Sequence, residues 1–100
     1  MMNITKSIDK GEAVFAVEGR LDTTTAPQLE EELKSSLDGI SSLILNLEKL
    51  EYISSAGLRV LLSVQKIMNS KGSMKVTKVS KPIMEIFDVT GFSDILTIEL

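Results

Sequence analysis

The stretch Leu43–Leu62, LILNLEKLEYISSAGLRVLL, decides the fold, because an apolar run and a helical pattern meet in it. Its first five residues are almost all apolar, which predicts a buried strand. Its last residues, continued to Met68, place apolar side chains at helical spacing and predict a helix. Ser54 and Ser55 stand at the joint, where a hydroxyl can accept a hydrogen bond from the first helical turn. The helix dipole also favours an anion there, which leaves open whether the serines only cap the helix or one of them is phosphorylated.

The composition is that of a single globular domain, which we assign to residues 1–100. Hydrophobic residues make up 43% of the chain and charged residues 25%, enough for a folded core. The formal net charge is −3 and no basic run stands out, which argues against nucleic-acid binding. No apolar stretch reaches the ~20 residues that span a bilayer, and the first residues lack the pattern of a signal peptide. The sequence therefore predicts a cytoplasmic protein that does not insert into a membrane.

Neither Cys nor His occurs in the sequence, and both absences bear on its chemistry. Without Cys there is no thiol nucleophile and no thiolate metal ligand. Without His the chain lacks the usual base that activates a serine nucleophile, and it lacks the commonest metal ligand. We therefore expect no enzyme activity, no catalytic residues, no metal site and no cofactor.

The rest of the chain alternates between strand and helix patterns. The predicted strands are Asn3–Ile8, Ala13–Val17, Ser42–Leu47, Met74–Val79 and Ile95–Leu100. The predicted helices begin after Thr25, at about Ser55, and with the segment Ser80-Lys81-Pro82. A strand, a helix and a strand at this spacing predict a βαβ unit with parallel strands. Thr25 and Gln28 have the spacing of a capping box, and Gly91 is a predicted helix stop. The apolar segment Val14–Val17 predicts a strand covered on both faces, and Ser42–Leu47 predicts a central strand.

A projection of the second predicted helix separates two faces. The core-facing residues, which fall within roughly 140° of arc, are Ala56, Val60, Leu61, Val64, Ile67 and Met68. Ser55 and Arg59 lie on the other face beside Leu58 and Leu62. An apolar pair beside a polar site is typical of a docking surface for another protein, and the alternative is that the pair lies under another segment of the same chain. Gly57 allows either close approach by a partner or tight packing of the helix against the sheet.

The motifs around the serines resemble the signature of STAS domains, and among them of anti-sigma factor antagonists. The residues that carry the resemblance are Leu45-Asn46-Leu47, Leu50, Tyr52–Leu58, Gly19–Asp22 with Thr25, and Pro82, Phe87 and Gly91-Phe92. Each motif is short, but their order and spacing extend the resemblance over nearly the whole chain. The resemblance implies an α/β fold with a STAS-like mixed β-sheet of about five strands and three or four helices packed on it.

The resemblance also implies a regulatory cycle. In this family the unphosphorylated antagonist binds an anti-sigma factor that is also a serine kinase, and so frees a sigma factor. The kinase uses ATP and magnesium to phosphorylate a serine at the start of the second helix, which releases the antagonist. A metal-dependent serine phosphatase then resets it.

Site residues follow from the match of individual positions. Ser55 matches the phosphorylated serine; the family often has Asp directly before it, where this chain has Ser54, so Ser54 is the second choice. Asp22 matches an aspartate that helps to engage the kinase. The candidate partner-binding residues are Asp22, Thr23, Thr24, Ser54, Ser55, Gly57, Leu58, Arg59 and Leu62.

Other functions stay open at this point. The same resemblance permits a STAS accessory subunit of a transporter, such as the small partner of a lipid-transport ATPase, which need not be phosphorylated. An enzyme site built from Ser54, Ser55 and Asp22 is disfavoured, because no His, Cys or carboxylate cluster accompanies them. If one serine caps the helix and the other is modified, we expect Ser54 to be the cap and Ser55 the phosphate acceptor.

Overall fold

The computed structural model describes residues 2–99, which form six strands, three α-helices and one short 3-10 helix. The strands are β1 (Met2–Asp9), β2 (Glu12–Leu21), β3 (Ser42–Asn46), β4 (Leu50–Ile53), β5 (Ser73–Thr77) and β6 (Ile98–Glu99). The helices are α1 (Ala26–Ser36), α2 (Ser55–Lys71) and α3 (Lys81–Thr90), and the 3-10 helix is Phe92–Asp94. Helices therefore separate most of the strands after β2, as expected for an α/β fold.

All six strands belong to one mixed sheet with the order β1-β2-β3-β5-β6, in which β4 pairs with β2. β1 and β2 form an antiparallel hairpin around the turn at Lys10 and Gly11, both of which have positive φ. The pairs β2–β3, β3–β5 and β5–β6 are parallel, and a helix lies between the two strands of each pair in the chain. The predicted fold class, the parallel βαβ unit and the central position of β3 are confirmed.

The helices cover one face of the sheet. Phe15 and Leu45 are completely buried, and they join a core cluster that also contains the buried residues of the three α-helices. The alternate side chains of the same strands, such as Val14 and Ile44, are half-buried. The prediction that Val14–Val17 is covered on both faces is wrong, because small and β-branched residues also fill a sheet face that stays partly open to solvent.

The strand β4 is not predicted by any pattern in the sequence. Its four residues are buried, exposed, exposed and buried in turn, so the alternation that marks a strand is absent. It forms because β2 continues to Leu21, beyond the predicted end at Val17. β3 pairs only with the first half of β2, so the edge of the second half is left unpaired, and β4 pairs with it. The last predicted strand, Ile95–Leu100, is shorter in the structure: Ile95 lies in a turn, β6 covers two residues, and Leu100 lies outside the described residues.

The helix α1 begins after Thr25, as predicted, but the predicted capping box does not form. The Thr25 hydroxyl instead donates to the carbonyl oxygen of Arg20 and accepts from the backbone N–H of Asp22, each at 2.8 Å. The Thr25 hydroxyl is therefore bonded to the preceding loop and does not accept the backbone N–H of Gln28, as a capping box requires. The predicted stop of α3 is confirmed, since Gly91 has the left-handed conformation at φ 81°.

The helix α2 turns its predicted face to the core. The buried residues of this set are Val60, Leu61, Val64 and Met68, and Ala56 and Ile67 are partly buried against them. Leu58 is also buried, with 7% of its surface exposed, whereas Leu62 is half-buried. Of the two alternatives for this leucine pair, packing within the chain therefore holds for Leu58. Gln65, which the pattern does not mark, is buried and donates to the side chain of Asn69 at 2.9 Å.

Gly57 is required by close packing between α2 and the sheet. A Cβ atom at this position would lie 2.7 Å from Cγ of Leu21 and 2.8 Å from Cγ1 of Ile53. Both neighbours are buried, at 0% and 2% exposure, and the atoms concerned are branch or γ carbons one bond beyond Cβ rather than the free end of a flexible side chain. The interpretation of Gly57 as a packing residue is thereby confirmed.

Replacing Gly57 with Ala is expected to destabilise the fold. Alanine gains about 1 kcal/mol of helix propensity over glycine, but overpacking a filled core costs about 1–3 kcal/mol. We expect the second term to prevail, because the added methyl meets atoms closer than 3 Å. Urea unfolding measures the difference, with Lys66→Ala on the exposed face of α2 as the control that stays within about 0.5 kcal/mol of wild type. A Gly57→Ala protein as stable as the control would contradict the packing argument.

Replacing Ser54 with Ala is expected to cost about 1 kcal/mol, the usual value of an N-cap. The Ser54 hydroxyl accepts the backbone N–H of Gly57 at 3.4 Å, which confirms Ser54 as the cap. Ser55→Ala is the matched control, since the side chain of Ser55 makes no hydrogen bond within residues 2–99. Equal unfolding free energies for the two variants would show that the cap contributes nothing.

Candidate functional site

Three segments meet where α2 begins. The end of β4 pairs with the end of β2, so that Ile53 lies beside Leu21. The next backbone N–H, that of Ser54, donates to the carbonyl oxygen of Leu21 at 2.9 Å. This bond fixes the two serines next to the loop that follows β2 and leads into α1. The site is therefore built from residues that are about thirty positions apart in the chain.

The two serines have different environments. Ser54 is half-buried, and both its hydroxyl and its carbonyl oxygen accept backbone N–H groups of the first helical turn. Ser55 is the first residue of α2 and its side chain is exposed. Within the described part of the chain nothing bonds to its hydroxyl, so no internal base raises its nucleophilicity. Ser55 is thus an accessible hydroxyl at the positive end of a helix.

Asp22 organises the loop beside the serines. One of its carboxylate oxygens, Oδ1, accepts the backbone N–H of Thr24 at 3.0 Å, the hydroxyl of Thr24 at 2.8 Å and the backbone N–H of Thr25 at 3.2 Å. The Thr24 hydroxyl is the main cause that lowers the pKa of Asp22 below its usual value, followed in the same direction by the backbone bonds, while partial desolvation opposes them. The carboxylate therefore stays charged at neutral pH and holds the loop in shape.

A groove of about 260 Å³ runs between α1 and α2 next to the serines. Its lining residues are Thr23, Ala26, Pro27, Glu30, Ala56, Arg59 and Val60. Arg59 lies one helical turn after Ser55, is exposed, and forms no ion pair with the residues described. The groove thus offers an apolar floor with one free cation beside the exposed hydroxyl.

The structure brings most of the predicted site residues together. Asp22, Thr23 and Thr24 form the loop, and Ser54 and Ser55 lie directly against its start. Arg59 joins them across the groove. Gly57 and Leu58, by contrast, are buried and are not available to a partner, because they pack α2 onto the sheet. Leu62 is half-buried, one turn beyond Leu58.

Sequence patterns missed two exposed residues beside the loop. The guanidinium carbon of Arg20 lies 4.4 Å from the centre of the Tyr52 ring, a cation–π contact. The pair forms because β4, itself unpredicted, places Tyr52 opposite Arg20. In the sequence, Arg20 belongs to the Gly19–Asp22 motif and Tyr52 to the Tyr52–Leu58 motif. Their presence in these motifs does not predict that the two side chains touch.

Two further properties bear on function. Among residues 2–99, no group of three or more carboxylate-type side chains is placed to hold a metal ion. Over the same residues, no helix combines the length and the apolar character needed to cross a membrane. The arrangement itself is an exposed hydroxyl, a shaped polar loop and a neighbouring groove, and such an arrangement suits recognition by another protein.

Two known proteins are similar in sequence to this chain along almost its whole length. BtrV of Bordetella bronchiseptica is 33% identical over 99 residues, which cover 97% of this chain and 85% of that protein. The anti-sigma-B factor antagonist of Bacillus subtilis is 31% identical over 100 residues, covering 97% of this chain and 92% of that protein.

Solved structures share the fold at lower identity. An anti-sigma factor antagonist from Mycobacterium paratuberculosis superposes with a TM-score of 0.88 at 21% identity, covering 98% of this chain and 85% of that one. The Bacillus cell fate determinant SpoIIAA in its phosphorylated form has a TM-score of 0.76 at 16% identity, covering 98% of this chain and 92% of that one. These likenesses show the fold alone.

The family assignment rests on a match along almost the whole chain. The model of the STAS domain matches residues 3–100, and both relatives above are more than 30% identical over nearly all of the chain. The predicted resemblance is thereby confirmed, and the chain belongs to the STAS domain family.

Proposed function

We propose that this protein is an anti-sigma factor antagonist that is switched by phosphorylation of Ser55. In its unphosphorylated form it binds an anti-sigma factor that is also a serine kinase, which releases a sigma factor. The kinase phosphorylates Ser55 and the complex separates; a serine phosphatase then restores the hydroxyl. The name of the Bacillus subtilis relative supports the partner, and the exposed, unbonded hydroxyl of Ser55 at the start of α2 is the observation that carries the switch.

The geometry favours Ser55 over Ser54 as the phosphate acceptor. The hydroxyl of Ser54 accepts the N–H of Gly57, and the residue is half-buried. A kinase would have to remove this cap before it could transfer a phosphoryl group to Ser54. Ser55 needs no such rearrangement, because its side chain already points to solvent without a bonding partner among residues 2–99.

The physical basis of the switch is a change of charge at a helix start. A phosphoryl group adds about −1.5 to −2 charges at neutral pH. The antagonist itself tolerates this charge, since the helix dipole and the free N–H groups of the first turn stabilise an anion. In an interface formed around a neutral hydroxyl the dianion must be desolvated or is repelled. A loss of about 3 kcal/mol weakens binding by roughly a hundredfold, which is sufficient for switching without a change of fold.

The surface that the partner contacts is proposed to combine the loop and the groove. Asp22, Thr23 and Thr24 present a shaped polar edge on one side of Ser55, and Arg59 and the half-buried Leu62 follow on α2. Because Oδ1 of Asp22 is already bonded within the loop, Asp22 acts at least in part by holding Thr23 and Thr24 in position. The buried Gly57 and Leu58 contribute by fixing α2 rather than by contact.

Phosphorylation should map to Ser55. With the cognate anti-sigma kinase, ATP and magnesium, wild type and Ser54→Ala should take up about one phosphate per chain, and Ser55→Ala none. Mass spectrometry of proteolytic fragments identifies the site. Full phosphorylation of Ser55→Ala would overturn the assignment, and modification confined to Ser54 would move the switch by one residue.

A charged residue at position 55 should separate binding from folding. We expect Ser55→Asp to keep the wild-type urea midpoint but to bind the anti-sigma factor at least about tenfold more weakly, since it brings one negative charge into the interface. Ser55→Ala is the control and should bind close to wild type. If neither wild type nor Ser55→Ala binds an anti-sigma factor, and the protein copurifies instead with transporter subunits from its own cell, the transporter alternative is correct.

The contribution of Asp22 to stability should depend on pH in a defined direction. Its folded pKa is lowered from the ordinary 3.8, so its bonds stabilise the fold above that value and are lost as the pH falls through the lowered pKa. Wild type should therefore lose its advantage over Asp22→Ala in urea midpoint as the solution becomes more acidic than the ordinary pKa. An advantage that grows on acidification would contradict the hydrogen-bonded carboxylate.

A further inference from the structure

We propose that Arg20 and Tyr52 form a second contact point for the anti-sigma factor, at which the stacked guanidinium binds a carboxylate of that partner. This inference rests on the proposed function and adds a specificity-determining pair that lies outside the phosphorylation site. Three observations support it: a β-bulge in the pairing of β2 with β4, the preorganised and exposed guanidinium of Arg20, and the position of the pair next to the loop beside Ser55.

The pair is created by an irregularity in the sheet. Gly19 pairs with Leu50, but the next residue, Arg20, pairs with Tyr52, so Glu51 is passed over in the register. Gly19 allows this because it adopts φ 100°, in the region that favours glycine. Bulges of this kind re-aim side chains and are frequent next to functional sites. Here the result is that Arg20 stacks on an aromatic ring.

The guanidinium of Arg20 is contacted by protein groups on two sides and is exposed to solvent on the third. Its carbon atom lies 4.4 Å from the Tyr52 ring centre, and its Nε lies 3.8 Å from Oδ2 of Asp22. The Arg20 side chain is nevertheless 52% exposed, and Tyr52 is 38% exposed. In the described range the guanidinium donates no hydrogen bond, so its terminal N–H groups remain free for a ligand. Because the side chain is already held, binding would cost little of its conformational entropy.

The pair is continuous with the proposed switch. Leu21, the residue between Arg20 and Asp22, accepts the backbone N–H of Ser54, and Tyr52 precedes Ser54 by two positions. The buried side chains of Leu21 and Ile53 point to the core, so Arg20 and Tyr52 face outwards from the adjacent positions. A partner that covers Ser55 and the Asp22 loop therefore reaches Arg20 and Tyr52 without a second, separate docking event.

The chemistry of the pair selects its ligand. A planar guanidinium binds a carboxylate through two parallel N–H donors, and the nearby phenol hydroxyl is a further donor. Arg and Tyr are also among the residue types that most often dominate the binding energy of interfaces. The matching group on the anti-sigma factor is thus an Asp or Glu side chain, which sits against the guanidinium edge that Asp22 leaves open.

The test compares the affinity of the cognate anti-sigma factor for a set of variants by calorimetry. Arg20→Ala should weaken binding about tenfold, and Arg20→Glu more than Arg20→Ala because it repels the carboxylate. Lys75→Ala is the matched control: Lys75 is 51% exposed and pairs with Glu99 at 3.6 Å, much as Arg20 does with Asp22, but it lies on β5. It should stay within about twofold of wild type. Raising the salt concentration should weaken wild type more than Arg20→Ala.

Each outcome has one meaning. If wild type does not bind an anti-sigma factor at all, the proposed function fails. If wild type binds, and Arg20→Ala, Arg20→Glu and Tyr52→Ala all bind within about twofold of it, the contact does not exist and the switch is unaffected. If Arg20→Glu is no weaker than Arg20→Ala and the salt dependence is unchanged, Arg20 acts only by supporting the Asp22 loop and the carboxylate is wrong.

Discussion

The close approach of the start of α2 to the ends of β2 and β4 is the constraint on which the rest of this structure depends. Gly57 leaves room for Leu21 and Ile53, and the Ser54 N–H bonds to the carbonyl of Leu21. These contacts fix where the helix begins and in which direction it leaves the sheet. An added methyl at the glycine would push the helix away from the sheet, and with it Ser55 and Arg59, while the Asp22 loop after β2 would stay behind.

The same constraint is compatible with the proposed switch, in which phosphorylation adds charge at Ser55 and no part of the fold has to move. The helix start is held by backbone contacts and by the cap of Ser54. The side chain of the neighbouring Ser55 is therefore not needed to hold the helix in place. In the proposed switch its hydroxyl gains or loses a phosphoryl group while the fold stays the same. In that proposal the signal is the surface charge that the partner meets, which has a large effect at an interface and a small one within the helix.

Different residues around Ser55 have different roles in the proposed recognition of a partner. Asp22 uses its carboxylate to shape the loop, Arg59 leaves its cation free beside the groove, and Arg20 is held over Tyr52. Shaped polar loops and preorganised cations bind with little loss of entropy. In the proposed function, a partner is therefore recognised by several fixed groups, and phosphorylation of Ser55 at their centre controls whether it stays bound.

The sequence by itself determined the order of strands and helices, the core face of α2, the cap at Ser54 and the stop at Gly91, because periodicity and capping depend on near neighbours in the chain. It could not determine β4, the stack of Arg20 on Tyr52 or the occupied hydroxyl of Thr25. These features arise where segments distant in sequence meet, and there a sheet register or a competing backbone group outweighs the local pattern. Only the tertiary structure decided that Leu58 belongs to the core, because the helical projection places it on the outer face beside Ser55 and only packing against the rest of the chain buries it.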